Sequence, residues 1–304
     1  MSQANATATQ RPIAGILWML AAGLSFVVMT ALVKSMGSTM HPTQSAFLRY
    51  LLGLVFFVPA LGTLLRTRLT GRQWGLFTLR GAIHSAAVML WFFAMTQIPL
   101  AEVTAMNYLT PVYVTIGAAL FLGETMAARR ITAIIVALIG AMIILRPGFR
   151  EISPGHLAML GTTLCMGISY LMVKMLVEEI SPVVVVAMMS IFVTIGIAPF
   201  AIAVWVTPTL PQLGILFAIA SFATGGHYFM TLAMQAAPVA VTQPVTFLQL
   251  IWATLLGALV FDEGVDFWVV LGGTLILAAI SFITWREAVL KRREITPNPN
   301  HPKL

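Results

Sequence analysis

Between Ile13 and Arg286 the chain is a succession of apolar runs, each long enough to cross a lipid bilayer, parted only by short polar, proline or glycine breaks. A spanning helix needs about 20 consecutive, mostly apolar residues. Ten such runs are placed at 13–36, 42–65, 73–97, 99–122, 130–146, 155–177, 182–206, 211–235, 238–260 and 265–286. Pro42, Pro99, Pro182, Pro211 and Pro238 stand at their starts, where the first turn of a helix has no use for the missing N–H. Only 9% of the residues are charged, against roughly 25% in soluble domains, too few to cover a water-facing surface. The fold class expected is therefore all-α integral membrane. The first run, of about 24 residues, exceeds the core of a signal peptide, about 7–15 residues, and is read as a retained helix.

The net charge of +7 does not point to nucleic acid. The basic residues sit in short loops and in the tail Lys291-Arg292-Arg293, a pattern of topology signals and not of a continuous phosphate-binding face. Cys165 is alone inside an apolar run, so neither a disulfide framework nor a metal spacing is present, and no metal or cofactor is expected. The glycines form no P-loop, which leaves no sign of ATP as an energy source.

A repeat organises the runs. Shifted by 140 residues, Gly15 meets Gly155, Lys34 meets Lys174, Pro42 meets Pro182 and Pro59 meets Pro199. Shifted by 139, Ala94-Met95 meets Ala233-Met234, Pro99 meets Pro238 and Glu124 meets Glu263. Each copy holds five spans, an odd number, so the second copy enters the membrane from the opposite side and the repeat is inverted, as in many secondary transporters. The expected organisation is a tail at 1–12, repeat one at 13–148, repeat two at 155–286 and a tail at 287–304. With both termini in the cytoplasm, twelve Lys and Arg flank the cytoplasmic ends and three (Lys34, Arg146, Arg150) flank the other side. That bias is the one the positive-inside rule asks for, and the chain is expected in the cytoplasmic (inner) membrane.

Pro99-Leu100-Ala101-Glu102, then Leu109-Thr110-Pro111 and Leu122-Gly123-Glu124, resemble the drug/metabolite transporter superfamily, and within it the EamA family of ten-helix carriers. Arg49, Arg80 and Arg146-Pro147-Gly148 add to the likeness, and Pro238-Val239-Ala240 with Phe261-Asp262-Glu263 repeat it more faintly. The resemblance covers about residues 13–286. It implies carriage of a small organic metabolite, whether export of amino acids and related compounds or uptake of a compound such as riboflavin or S-adenosylmethionine. The first span holds no Asp or Glu, so the drug–proton exchange of the four-helix multidrug exporters is not implied. Pro111 is matched by Leu250 while the ninth span carries Pro244 nearer its start, so the two halves are expected to bend at different depths.

Ionisable groups at membrane depth are costly and are functional candidates by default. Arg49 and Arg80 lie about seven residues inside their spans, roughly 10 Å deep at 1.5 Å per residue. Glu102 approaches from the same side as Arg49, so that the two could pair; Glu102, Arg49 and Arg80 are the proton or ion-pair candidates. The competing reading is structural: snorkelling arginines and a carboxylate at a helix N-terminus. His84 and His227 stand mid-span in the third and eighth runs, able to donate, accept or titrate, or else to bond helix to helix. Asn107, Tyr108, Tyr228, Gln243 and Gln249 need polar partners in hydrocarbon and should face the interior. Trp91 and Trp252 with the tyrosines offer rings for a planar ligand, with plain packing as the alternative. Lys34, Lys174, Glu124 and Glu263 close helix ends and are read as structural.

These readings converge on a secondary carrier working by alternating access, with a small-molecule substrate, the bilayer as its solvent and a proton as a candidate coupling ion, as a monomer or homodimer. A membrane-embedded enzyme would need a catalytic constellation, such as HExxH or paired intramembrane Asp, that the five histidines and ten carboxylates do not form. A channel or a non-transporting sensor is the remaining alternative.

Overall fold

A computed structural model describes residues 11–37, 39–121, 127–149, 151–176, 179–237 and 242–295. The described residues are helical with short connections. The elements are α1 (Pro12–Met36), α2 (Pro42–Gly53), a 3-10 segment Leu54–Ala60, α3 (Leu61–Arg66), α4 (Gly71–Gln97), α5 (Leu100–Asn107), α6 (Thr110–Phe121) and α7 (Ala128–Leu145). The second half holds α8 (Pro154–Leu176), α9 (Pro182–Ala203), α10 (Leu210–Ala236), a 3-10 turn Gln243–Thr246, α11 (Phe247–Val260) and α12 (Phe267–Ile295). Among the described residues nine stretches are long and apolar enough to cross a membrane, and α11 is a shorter apolar helix that the 3-10 turn extends into a tenth.

The inverted repeat is visible in local chemistry and in packing. Thr70 caps α4 through the N–H of Gln73, whose side chain returns to the N–H of Thr70; Thr209 and Gln212 repeat this capping box on α10 at the 139-residue offset. The packing of α1 on α10 has its image in that of α8 on α4, and α2 on α10 in α9 on α4. The pairs α2 with α9, α7 with α12 and α5 with α11 map onto themselves, which places a pseudo-twofold axis through the middle of the bundle. Close approach at one such crossing needs glycine: a Cβ on Gly140 would sit 2.7 Å from the carbonyl oxygen of Gly272.

Contacts between helix ends fix the up-and-down order. At the face carrying Arg11, the Arg11 N–H donates to the Ala236 carbonyl at 2.9 Å, and Arg72 meets Glu179 at 2.8 Å. At the far face Lys34 meets Glu263 at 2.5 Å, Arg146 meets Asp266, and the Gln44 amide brackets the Val206 backbone.

Two expectations change. The last helix continues to Ile295, past the expected end at 286. The ninth span is interrupted by a 3-10 turn at Gln243–Thr246 ahead of α11, and Pro238 lies outside the described residues. Each half is interrupted near its proline: α5 and α6 part at Tyr108-Leu109, and in the second half the 3-10 turn precedes α11, so at the 139-residue offset its end falls where α5 ends. Pro111 follows the first break in the opening turn of α6, and Pro244 precedes the second inside its turn, so each releases the helix from its own side.

Candidate substrate pathway

The breaks meet. The Tyr108 hydroxyl donates to the carbonyl of Thr246 at 3.1 Å, bonding the interruption of one half to that of the other. Irregular backbone at membrane depth persists only where protein or a polar cavity satisfies it, and carriers place their binding sites at such discontinuities. Asn107 ends α5 exposed, with no side-chain partner among the described residues, so its amide is free for a ligand or water. Gln249 is half-buried one turn beyond the other break, and the Gln243 side chain lies outside the described residues.

Spans two, three and six also bring a buried polar chain together. Arg80 and His84, four residues apart, lie on one face of α4. Arg80 donates from Nε to Ser169 Oγ at 3.3 Å, from Nη1 to the Val185 carbonyl at 3.1 Å and from Nη2 to Met189 Sδ at 3.1 Å. Ser169 Oγ lies 3.0 Å from His84 Nδ1, and His84 Nε2 lies 3.3 Å from the Tyr50 hydroxyl. All bonds are satisfied when Ser169 donates to Nδ1 and Nε2–H donates to Tyr50. Arg49 lies over the Tyr50 ring, 4.1 Å from its centre. His227, exposed within α10, sets its ring edge-on to Phe26 at 5.0 Å, and it is near enough to Arg49 and His84 to interact with both electrostatically. Glycine at 226 makes room for Phe26, since a Cβ there would meet its ring at 2.9 Å. Trp252 lies over Gly23, one turn from Phe26 on α1.

Other candidates fall elsewhere. Trp91 is half-buried against the main core, edge-on to Phe92. Tyr228 is 62% exposed, its ring only against Phe229 among the described residues. Glu102 does not pair with Arg49: it is buried and bonds His156 Nε2 at 2.5 Å, while Ser153 meets His156 Nδ1 at 2.9 Å. The carboxylate lies in the first turn of α5, and the imidazole in the first turn of α8 takes it.

Tyr50, Ser169, His156 and Tyr170 are the residues that sequence reasoning missed. Tyr170 lines a cleft of about 280 Å³ with Pro111, Val114, Thr115, Ile280, Ile283 and Thr284, and it interacts electrostatically with Arg80 and Tyr50, so the cleft abuts the polar chain. A tyrosine following Arg49, and a histidine two residues after the proline that opens α8, were available signals. No group of three or more His, Cys, Asp or Glu gathers as a metal site among the described residues.

Comparison with known proteins agrees with a carrier. The EamA-like transporter family matches twice, over residues 13–146 and 153–285. A riboflavin transporter of Vibrio cholerae is 29% identical over 288 residues, covering 93% of this chain and 97% of that protein. A riboflavin transporter of Rhizobium johnstonii is 31% identical, covering 94% and 95%, and an S-adenosylmethionine uptake transporter of Rickettsia prowazekii is 22% identical, covering 90% and 93%. Family and relatives alike are named as transporters. With its helical membrane fold, its doubled architecture and these matches, the chain belongs to the EamA-like transporter family, as a multi-pass membrane carrier of small metabolites.

Proposed function

We propose that the chain carries a planar heteroaromatic metabolite across the cytoplasmic membrane by alternating access, with both termini in the cytoplasm. The observation that carries this reading is the meeting of the two helix breaks through Tyr108 and Thr246; the bundle also buries the Tyr50–His84 pair and sets His227 against Phe26. Rings there supply faces for stacking, and the imidazoles and the Asn107 amide supply directional bonds to ring heteroatoms. Riboflavin and S-adenosylmethionine, named for three of the relatives, each contain such a ring system. Rocking of one repeat against the other about the pseudo-twofold axis would expose the site to each side in turn.

The test is flux into proteoliposomes with riboflavin and S-adenosylmethionine as probes. Saturable uptake of one, competed by other ring compounds, is expected. His84→Ala and Gln243→Ala should each raise KM or lower the maximal rate. Well-folded variants that both transport as the parent does would sink the central site, and failure to move either ring compound would sink the substrate class. A reporter fused after Leu304 that folds outside the cytoplasm would reverse the orientation.

A further inference from the structure

The membrane interior of this protein carries positive charge that its own carboxylates do not neutralise. Of the ten Asp and Glu, nine lie at span ends, in connections or in the C-terminal extension; Glu102 alone stands inside a span, and it faces His156. Arg80 spends its donors on a hydroxyl, a carbonyl and a thioether, all neutral acceptors that orient the guanidinium without cancelling its charge. Arg49 has no hydrogen-bond acceptor among the described residues; the Tyr50 ring on which it lies offers only a π face. Its side chain is half-buried, and it feels His84 and His227, the polar groups of the candidate pathway. A guanidinium fixed on an aromatic face, with a fork of N–H donors left over, is the geometry that takes a carboxylate or phosphate through two parallel bonds. An unpaired cation at this depth is costly, and an anion that arrives with the substrate relieves that cost only while bound.

We propose that Arg49 is an anion anchor, so that the substrate bears a carboxylate or phosphate beside its ring and a purely cationic ring compound is rejected. This rests on the central site proposed above, which it deepens by assigning the substrate's charge.

The experiment measures binding to the full chain in uncharged detergent with charge-matched pairs: riboflavin against riboflavin 5′-phosphate, and adenosine against its 5′-monophosphate. Citrate serves as an anion without a ring. The phosphates are expected to bind about tenfold to a hundredfold more tightly than their neutral partners, the range of a charge-assisted pair. Arg49→Gln should remove that advantage while leaving the neutral compounds within about twofold, which also shows that the variant is folded. Arg49→Lys should restore part of it, keeping the charge and losing the fork. Equal binding within each pair in the unaltered protein overturns the anion anchor and leaves the ring reading intact. Arg49-dependent binding of citrate without binding of any ring compound does the reverse. Binding of no soluble anion, or Arg49-dependent binding of phosphatidylglycerol alone, which marks a lipid headgroup site, overturns the proposal.

Discussion

Substituting Glu263 by Gln tests whether the far face is held shut by a charge-assisted latch. Glu263 meets the Lys34 ammonium at 2.5 Å and accepts the Leu100 N–H at 2.8 Å, while Lys34 also donates to the Ile98 carbonyl at 2.9 Å. One carboxylate thus joins the end of α1, the start of α5 and the turn after α11. The two side chains are only 17% and 12% exposed, so water screens them little. Gln keeps one acceptor but leaves the ammonium with a carbonyl alone. Losing a charge-assisted bond costs about 1.5–3 kcal/mol, and orphaning a fully buried charge about 3–5 kcal/mol. A latch this shielded should lie between, near 3 kcal/mol.

The assay is a double-mutant cycle on unfolding free energy in detergent, using Lys34→Met, Glu263→Gln and the pair together. Each single variant should cost more than its share of the double, because the double leaves no orphan, and the coupling should be about 1.5–3 kcal/mol. Exchanging the charges, Lys34→Glu with Glu263→Lys, should rescue only in part, since the Leu100 N–H would then face an ammonium. Gly257→Ala offers a control with the charges intact: a Cβ there runs into Glu263 Oε2 and should weaken the latch in the same direction. Additive single-variant costs, with coupling below about 0.5 kcal/mol, would refute the latch as a unit.

Three further outcomes are expected. Gly140→Ala places a Cβ 2.7 Å from the Gly272 carbonyl and 2.8 Å from Ile276 Cγ1, and should destabilise the α7–α12 crossing by about 1–3 kcal/mol, read by the same unfolding assay. Glu102→Gln should lower stability by about 1–3 kcal/mol through its bond to His156, yet leave the pH profile of transport unchanged; a flattened profile would make Glu102 a proton carrier instead. Glu179, in the connection before α9, is held below its ordinary 4.5 by the Gln73 amide and the Arg72 guanidinium. A depressed carboxyl contributes stability above its unfolded value and loses it as pH falls through the folded one, so melting temperature should drop below about pH 4.5 and Glu179→Gln should lack that component.

The spans were legible because hydrophobic length is a local property: the bilayer sets it, and the chain must meet it ten times whatever the packing. The repeat was legible because Lys34, Pro42 and Pro59 recur at one offset. Partnership was not legible, because it depends on which helices touch. Arg49 and Glu102 enter from the same side but at different depths, and His156, near the start of its helix, takes the carboxylate. The helix breaks were half legible: Pro111 and Pro244 mark them, but the shared position appears only once the 3-10 turn is seen to end where α5 does.

Symmetry of fold and asymmetry of charge together say more about the site than either alone. The backbone obeys the repeat down to its capping boxes, yet the central polar residues do not. At the repeat offsets Arg49 is matched by Met189, Arg80 by Ile219, His84 by Ala223 and Tyr108 by Phe247. Met189 even serves as an acceptor for Arg80, so the second half contributes sulfur where the first contributes charge. A site near a twofold axis with equal halves would hold an unsymmetrical ligand in two orientations. Placing the cations on one side only selects one orientation, while the symmetric scaffold still supplies two equivalent ways to open. Moving the arginine across the axis, Arg49→Met with Met189→Arg, should therefore retain the fold but lose the ligand's register, and Arg80 should lose its thioether partner in the same step. Unchanged affinity for riboflavin 5′-phosphate in that exchanged protein would show that the charge asymmetry does not orient the substrate.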